Sequence, residues 1–262
     1  MALAALTVLA QVAYPLLAGP ALTVSTVATV LAFAAASLTH AVWAFGARAA
    51  ALTWLGAAGL GLLSEAVGVA TGVPFGSYRY TASLGWQVAG VPLVVPLAWT
   101  MMAYPALLLA RRLVRGANRG RRGRVRVALT GGWTLAAWDL FLDPQMVSAG
   151  HWSWTAAQVH LPGVPGIPLS NDAGWLLVGT MIIAALDRLL PTAPRTPLAP
   201  ALTAGRSLPF DTVPAALLAW TWLGSTLANL AFFDRPWVAA YGGLAMAAAV
   251  GPYLLAVRRA AG

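Results

Sequence analysis

Eight apolar segments, each about as long as a membrane-spanning helix, restrict what this chain can fold into. A helix that crosses the roughly 30 Å hydrocarbon core of a bilayer needs about 20 apolar residues. The segments lie near residues 2–19, 24–46, 50–70, 91–110, 127–147, 173–190, 213–233 and 237–257. Because 60% of the 262 residues are hydrophobic and only 9% are charged, a water-soluble globular protein is excluded. The sequence predicts one all-α integral membrane domain over residues 1–262, a bundle of about eight transmembrane helices.

Segment 2–19 lacks the basic start and the A-x-A-like cleavage site of a signal peptide. We therefore expect it to be a membrane span. The chain contains no cysteine, so it offers no thiolate for a metal site, a disulfide or nucleophilic catalysis.

Arginines are concentrated between the fourth and fifth apolar segments. Residues 111–126 contain Arg111, Arg112, Arg115, Arg119, Arg121, Arg122, Arg124 and Arg126. No aromatic residues alternate with them, as they would in a protein that binds single-stranded nucleic acid. We therefore expect an arginine-rich cytoplasmic loop that faces membrane lipid, and no nucleic-acid partner.

This loop predicts the orientation of the other segments. Alternation across the membrane places every arginine inside except Arg79 and Arg235, in agreement with the positive-inside rule. We expect both termini in the cytoplasm of a multi-pass cell-membrane protein. Two long outer loops then span residues 71–90 and 148–172, and a Pro-rich inner linker, which contains Arg195 and Arg206, spans residues 191–212.

Four of the seven acidic residues are predicted to converge near the outer side of the membrane: Glu65, Asp139, Asp143 and Asp172. An ionisable side chain inside hydrocarbon is costly and is a functional candidate by default. Asp139 and Asp143 are spaced i, i+4, so they share one helix face. Two close carboxyl groups in a low dielectric do not both ionise easily, which predicts that one stays protonated as a poised acid.

Structural roles compete with these functional ones. Asp172 is interpreted first as the N-terminal cap of the sixth helix, and Asp143 precedes Pro144, near which a carboxylate often satisfies free backbone donors. For Glu65 and Asp139 we favour function over an ion pair with Arg79. His40, His151 and His160 lack metal-ligand spacing, so we expect hydrogen-bonding roles and no metal or other cofactor.

Tryptophans fall into two groups. Trp43, Trp54, Trp220, Trp222 and Trp237 are predicted to lie at the membrane interfaces. Trp86, Trp138, Trp152, Trp154 and Trp175 instead group with Tyr78, Tyr80 and the acids around the outer loops. An aromatic wall of this kind is able to bind a flat conjugated ligand or to stabilise a carbocation.

A series of motifs within residues 62–180 resembles a known family. They are PFGSYRYT (74–81), LG (84–85), VPLVVPLAW (91–99), WDLFLDPQMV (138–147), HWSW (151–154), GIPLSN (166–171) and GW (174–175). In this order they resemble the CruF-type carotenoid hydratases, also described as carotenoid biosynthesis membrane proteins. The flanking helices match only in hydropathy.

The resemblance implies a membrane enzyme, a carbon–oxygen lyase, that adds water across the terminal C1,C2 double bond of an acyclic ψ end group. Such ends occur in lycopene, γ-carotene and bisanhydrobacterioruberin, and the product is a tertiary 1-hydroxy carotenoid. It further implies a lipophilic carotenoid substrate, no redox cofactor, and other carotenoid-pathway enzymes as candidate partners. The family usually has an aromatic residue where this chain has Asp172, which makes Asp172 a poor choice for a shared catalytic acid.

Hydration of an isolated alkene requires a proton donor, a stabilised cation and a positioned water. Asp139 or Asp143 is the predicted donor, and Glu65 is predicted to orient or deprotonate the water. The predicted substrate-binding residues are Tyr78, Arg79, Tyr80, Trp138, Trp152, Trp154, Asn171 and Trp175.

Three other functions remain open. A prenyltransferase or lycopene elongase is suggested by the spacing of Asp139 and Asp143, although a second acidic cluster is missing from the sequence. A carotenoid cyclase also begins by protonating a ψ end. A transporter or scaffold would need polar residues along a full path, whereas here they lie mostly on one side.

Overall fold

The protein is a bundle of helices with two small sheets at one end. The computed structural model describes residues 1–114, 120–155, 159–194 and 210–261. Within these ranges the helices are α1 (Ala2–Ala13), α2 (Gly19–Phe45), α3 (Ala47–Thr71), α4 (Val94–Leu113), α5 (Arg121–Ser148), α6 (Leu169–Leu189), α7 (Thr212–Ala231) and α8 (Pro236–Ala261). The strands are β1 (Tyr78–Tyr80), β2 (Gln87–Val88), β3 (Val91–Pro92) and β4 (Trp152–Trp154). Short 3-10 turns span Tyr14–Leu16 and Ala82–Leu84.

The prediction of an all-α membrane bundle is confirmed. In the described part of the chain, α2, α3, α4, α6 and α8 are long and apolar enough to cross a bilayer. The 28-residue α5 and the 20-residue α7 are also long enough, and α5 is less apolar because it begins in the arginine-rich stretch. The cytoplasmic placement of the termini stays a prediction.

The first predicted span is shorter than expected. Helix α1 has 12 residues, which corresponds to about 18 Å at the usual rise per residue and is less than a bilayer core. Pro15 follows within a 3-10 turn, and Leu17 and Ala18 are extended before α2 begins at Gly19. The apolar composition of residues 2–19 therefore did not reveal the interruption of the helix.

The predicted arginine-rich loop is largely the ends of two helices. Arg111 and Arg112 lie in the last turn of α4. Arg121, Arg122, Arg124 and Arg126 lie in the first turns of α5. Arginine is a good helix former, so both helices extend past their apolar parts. Arg115, Arg119, Arg195 and Arg206 lie outside the described residues.

Two ion pairs join this end of the bundle. The Arg111 Nε atom lies 2.7 Å from the Asp187 carboxylate, which links α4 to α6. The Arg112 Nε atom lies 3.5 Å from the carboxylate of Asp211, the residue before α7. Asp187 and Asp211 therefore anchor helix ends.

The two predicted outer loops contain paired strands. β1 and β4 pair antiparallel, with Tyr78 opposite Trp154 and Tyr80 opposite Trp152. β2 and β3 form a second pair before α4. The loop at 148–172 ends early because α6 begins at Leu169 with Pro168 as its N-cap residue. Asp172 therefore lies within the first turn and does not cap the helix, so that prediction is wrong.

Helix α4 lies at the centre of the bundle, where it packs against α2, α3, α5 and α8. Helices α5 and α6 pack closely beside it. A methyl group added at Gly132 of α5 would lie 2.3 Å from the Thr180 hydroxyl and 2.7 Å from the Thr180 backbone nitrogen. Glycine is required here because the backbone of α6 occupies that space.

We expect Gly132→Ala to lower the free energy of unfolding by about 1–3 kcal/mol, the usual cost of overpacking. The loss is measured by heating the detergent-solubilised protein and using size-exclusion chromatography to quantify the folded protein that remains at each temperature. Gly59→Ala in α3 is the matched control, because nothing lies within 4 Å of its added methyl group. Equal unfolding temperatures for the two variants would contradict the close packing of α5 and α6.

Candidate active site

A cavity of about 150 Å³ lies among helices α1 to α7, next to the β1–β4 pair. This volume is roughly ten times the least space that holds one water, about 10–15 Å³, so the cavity has room for part of a larger ligand. The predicted site residues that line it are Glu65, Tyr78, Tyr80, Trp138, Asp143, Trp152, Trp154, Asn171 and Trp175. These residues come from two distant loops and three helices and meet at one surface.

The strand pair determines which loop residues reach the cavity. Alternate side chains of a strand point to opposite faces of the sheet. Tyr78 and Tyr80 of β1 and Trp152 and Trp154 of β4 line the cavity. Arg79 lies between the two tyrosines and is exposed, so the structure places it away from the cavity lining.

Glu65 of α3 is buried and accepts three hydrogen bonds. Its Oε2 atom accepts from the hydroxyls of Tyr78 and Tyr80, the latter at 2.8 Å. Its Oε1 atom accepts from the Trp99 indole N–H at 3.1 Å. Burial, followed by the charge of Glu65, raises the pKa of the Tyr78 and Tyr80 hydroxyls above the usual range, so both stay protonated donors.

These contacts leave one lone-pair position of the Glu65 carboxylate without a hydrogen-bond donor. A carboxylate has about four lone-pair positions, two on each oxygen. The tyrosines occupy both positions on Oε2, whereas the Trp99 indole occupies only one on Oε1. The Glu65 Oε1 atom is therefore able to accept one more hydrogen bond.

Asp139 and Asp143 form a buried pair in α5, with exposed fractions of 1% and 3%. Their side chains lie within hydrogen-bonding reach of each other. The Asn171 side-chain amide donates to both, at 2.9 Å to the Asp139 Oδ2 atom. The Trp152 indole donates to the Asp143 Oδ1 atom at 3.0 Å. No arginine forms an ion pair with either aspartate, or with Glu65, in the described ranges.

Three tryptophans form an aromatic wall of the cavity. The Trp99 and Trp175 rings stack with their centroids 3.9 Å apart. Trp138 packs edge-on against Trp175 at 5.7 Å. Trp99 was missed as a site residue, although it ends a motif in the sequence. Its ring lies against Gly61 of α3, where a methyl group would come within 2.6 Å of the indole.

One prediction about tryptophans is wrong, and one further tryptophan lines the cavity without having been predicted to do so. Trp86 is 86% exposed and does not join the cavity lining. Trp220, predicted to lie at a membrane interface, lines the cavity together with Tyr14 and Phe233. The sequence does not reveal this part of the lining because α1 and α7 approach the site only in the folded bundle.

The histidines do not line the cavity. His151 is buried, and its Nδ1 atom lies 2.8 Å from the Ser83 hydroxyl, while burial lowers the pKa of its imidazole. His40 contacts the Tyr104 hydroxyl at 2.8 Å and the Phe210 carbonyl at 3.0 Å. Both therefore hydrogen-bond as expected. Among the described residues, no three His, Asp or Glu side chains are arranged to hold a metal ion.

Comparisons with known proteins agree on a family. The family model for "carotenoid biosynthesis protein" matches residues 24–250. The bisanhydrobacterioruberin hydratase of Haloarcula japonica is 36% identical over 124 residues, which cover 47% of this chain and 40% of that relative. No solved structure shows a significant match to the chain. Because the family model spans most of its length, the chain belongs to the carotenoid biosynthesis protein family.

Proposed function

We propose that this protein is a carotenoid hydratase of the cell membrane that adds water to the terminal C1,C2 double bond of an acyclic ψ end group. The observation that carries the proposal is that Glu65 and Asp143 line one cavity walled by aromatic rings. The cavity thus combines a candidate base and a candidate acid with a surface suited to a cation. The H. japonica relative, named a hydratase, supports the same reaction class.

The first step is protonation of the alkene. An O–H bond of the Asp139–Asp143 pair breaks, and the π electrons of the C1,C2 bond take the proton at C2. Asp143 is the donor that faces the cavity, since Asp139 does not line it. Contact between the two carboxyl groups favours one shared proton, because two negative charges this close in a low dielectric repel strongly.

The positive charge then lies on C1, a tertiary carbon. The rings of Trp138, Trp152 and Trp175 line the cavity, and the faces of aromatic rings are electron-rich. A cation over a tryptophan face gains about 2 kcal/mol or more when water is excluded. This stabilisation needs no counter-ion, in agreement with the apolar wall.

Water capture completes the reaction. A water oxygen bonds to C1 while one of its protons passes to Glu65, which has a remaining lone pair on Oε1 next to Trp99. The proton that Glu65 gains balances the one that the aspartate pair loses. Asn171 holds both aspartates by its amide and therefore positions the donor.

The long polyene needs a path away from the carboxyl groups. The cavity continues between α2 and α7, where Thr26, Val30, Trp220, Gly224 and Ala228 line it. This largely apolar part suits a lipophilic chain that enters from the bilayer. Among the described residues, no arginine or histidine lines the cavity, which disfavours the diphosphate substrate of a prenyltransferase.

Expression in cells that accumulate lycopene or γ-carotene tests the reaction. We expect pigments whose mass increases by one water per hydrated end, measured by liquid chromatography with mass spectrometry. An unchanged mass with altered retention would instead indicate a cyclase, and a gain of C5 units an elongase. Unaltered pigments at normal protein levels would contradict the proposal.

The same cells test the proton donor. We expect Asp143→Asn to lower product formation by about 10²-fold or more, the usual contribution of a general acid. Asp139→Asn should have a similar effect because it removes the shared proton. Asp234→Asn is the control, since Asp234 is exposed between α7 and α8. Near-normal hydration by both site variants, with equal membrane levels, would reject the aspartate pair as donor.

Glu65→Gln tests the base. We expect a loss of about 10²-fold in hydration because an amide does not accept the water proton. Tyr80→Phe keeps the carboxylate and removes one donor to it, so its loss should be smaller. If Tyr80→Phe were the more damaging change, Glu65 would not be the base.

Arg79→Ala tests the predicted substrate contact. Because Arg79 is exposed on the outer face of β1, we expect hydration to change less than about threefold, a difference below roughly 1 kcal/mol. The measurement is product per unit of membrane protein in the same cells. A loss comparable to that of Glu65→Gln would show that Arg79 contacts the substrate directly.

A further inference from the structure

A second, smaller pocket adjoins the aspartate pair. Asp143 lines both this pocket and the main cavity, whereas Asp139 and Asp172 line only the small pocket. Its volume is about 10 Å³, close to the least space that holds one water. The pair therefore separates the candidate reaction chamber from a space of about one water.

One polar atom in this pocket has its hydrogen-bonding capacity unused. Asp139 is 1% exposed, and its Oδ1 atom has no hydrogen-bond partner among the described residues. A buried carboxyl oxygen without a partner is costly, and a bridging water is the usual remedy. The rest of the lining includes Leu161, Val164 and Val238, which offer no alternative partner.

Asp172 connects the pocket to the surroundings. It is half-buried in the first turn of α6 and lies close enough to interact electrostatically with Asp139 and Asp143. From α8, Tyr241 also lines the pocket, but its hydroxyl donates to the Pro162 carbonyl at 3.1 Å. In the part of the chain that the structure describes, no basic side chain lines this pocket. Asp172 is therefore the group able to exchange a proton with the Asp139 side.

We propose that a water in the small pocket bridges Asp172 to the Asp139 Oδ1 atom, and that this bridge carries protons between bulk solution and the aspartate pair. The inference rests on the proposed function, in which the pair loses one proton in each turnover. A proton moves from Asp172 to the water while the water gives one to Asp139, and Asp172 then takes a proton from bulk solution. Glu65 releases to solution the proton that it gained from the attacking water, so each group returns to its starting state. Asp172 acts as a positioning residue for proton transfer and does not touch the substrate.

Hydrogen–deuterium exchange of the buried carboxyl group tests this route without substrate. Infrared spectra of the reconstituted protein, transferred from H₂O to D₂O, follow the C=O band of a protonated carboxyl group. Loss of this band in Asp139→Asn or Asp143→Asn assigns it to the pair. We expect Asp172→Asn to slow its exchange by about 10²-fold, the scale of a positioned proton-transfer group. Asp172→Glu should restore the rate, and Asp234→Asn should not change it.

Either of two results would overturn the proposal: unchanged exchange in Asp172→Asn, or no protonated band that depends on Asp139 or Asp143. A general loss of structure would not slow exchange selectively in Asp172→Asn. In that case Asp172→Glu would not restore the exchange rate. Pigment analysis of the same variants tests the proposed function independently of the exchange measurement. Slow exchange in Asp172→Asn, together with no hydrated pigment from the unmodified protein, would reject the proposed function and leave the proton route intact.

Discussion

Burial of three carboxyl groups within one end of the bundle is the constraint on which the rest of the structure depends. An unpaired carboxylate in a low dielectric is very costly, so each must find donors or share a proton. Glu65 takes its donors from β1 and α4, and the aspartate pair takes its donors from α6 and β4. The side chains that donate hydrogen bonds to the buried carboxyl groups also line the cavity. Stability and candidate chemistry therefore use the same contacts.

The positions of the helices and of the acids within them follow from local sequence. An apolar length of about 20 residues predicts a spanning helix, and each of the predicted segments except the first corresponds to a helix of at least 20 residues. The i, i+4 spacing likewise places Asp139 and Asp143 on one face, and the structure shows them together. The tyrosine and tryptophan motifs identified six aromatic residues of the cavity lining because they lie next to the outer ends of the acidic helices. Their chemical roles stay proposals.

Other parts of the site depend on contacts between distant residues. Pairing of β1 with β4 joins segments about 70 residues apart and turns Arg79 away from the cavity. The alternation of side chains along a strand does not by itself show which face of β1 meets the cavity, because that depends on the register of the pairing. Trp99 reaches Glu65 because Gly61 leaves space beside α3. The sequence suggests that Asp172 is a helix cap. In the structure α6 begins earlier, at Leu169, and Asp172 lines the small pocket together with the aspartate pair. Long-range packing determines each of these positions.

The origin of the added atoms tests the central claim most directly. The purified protein, reconstituted with a carotenoid that has an acyclic ψ end, is incubated in D₂O and separately in ¹⁸O-labelled water. Acid-catalysed hydration predicts one non-exchangeable deuterium at C2 and one labelled oxygen at C1 for each hydrated end. A product with labelled oxygen but no deuterium at C2, or with neither label, would contradict protonation by a carboxyl group in the cavity.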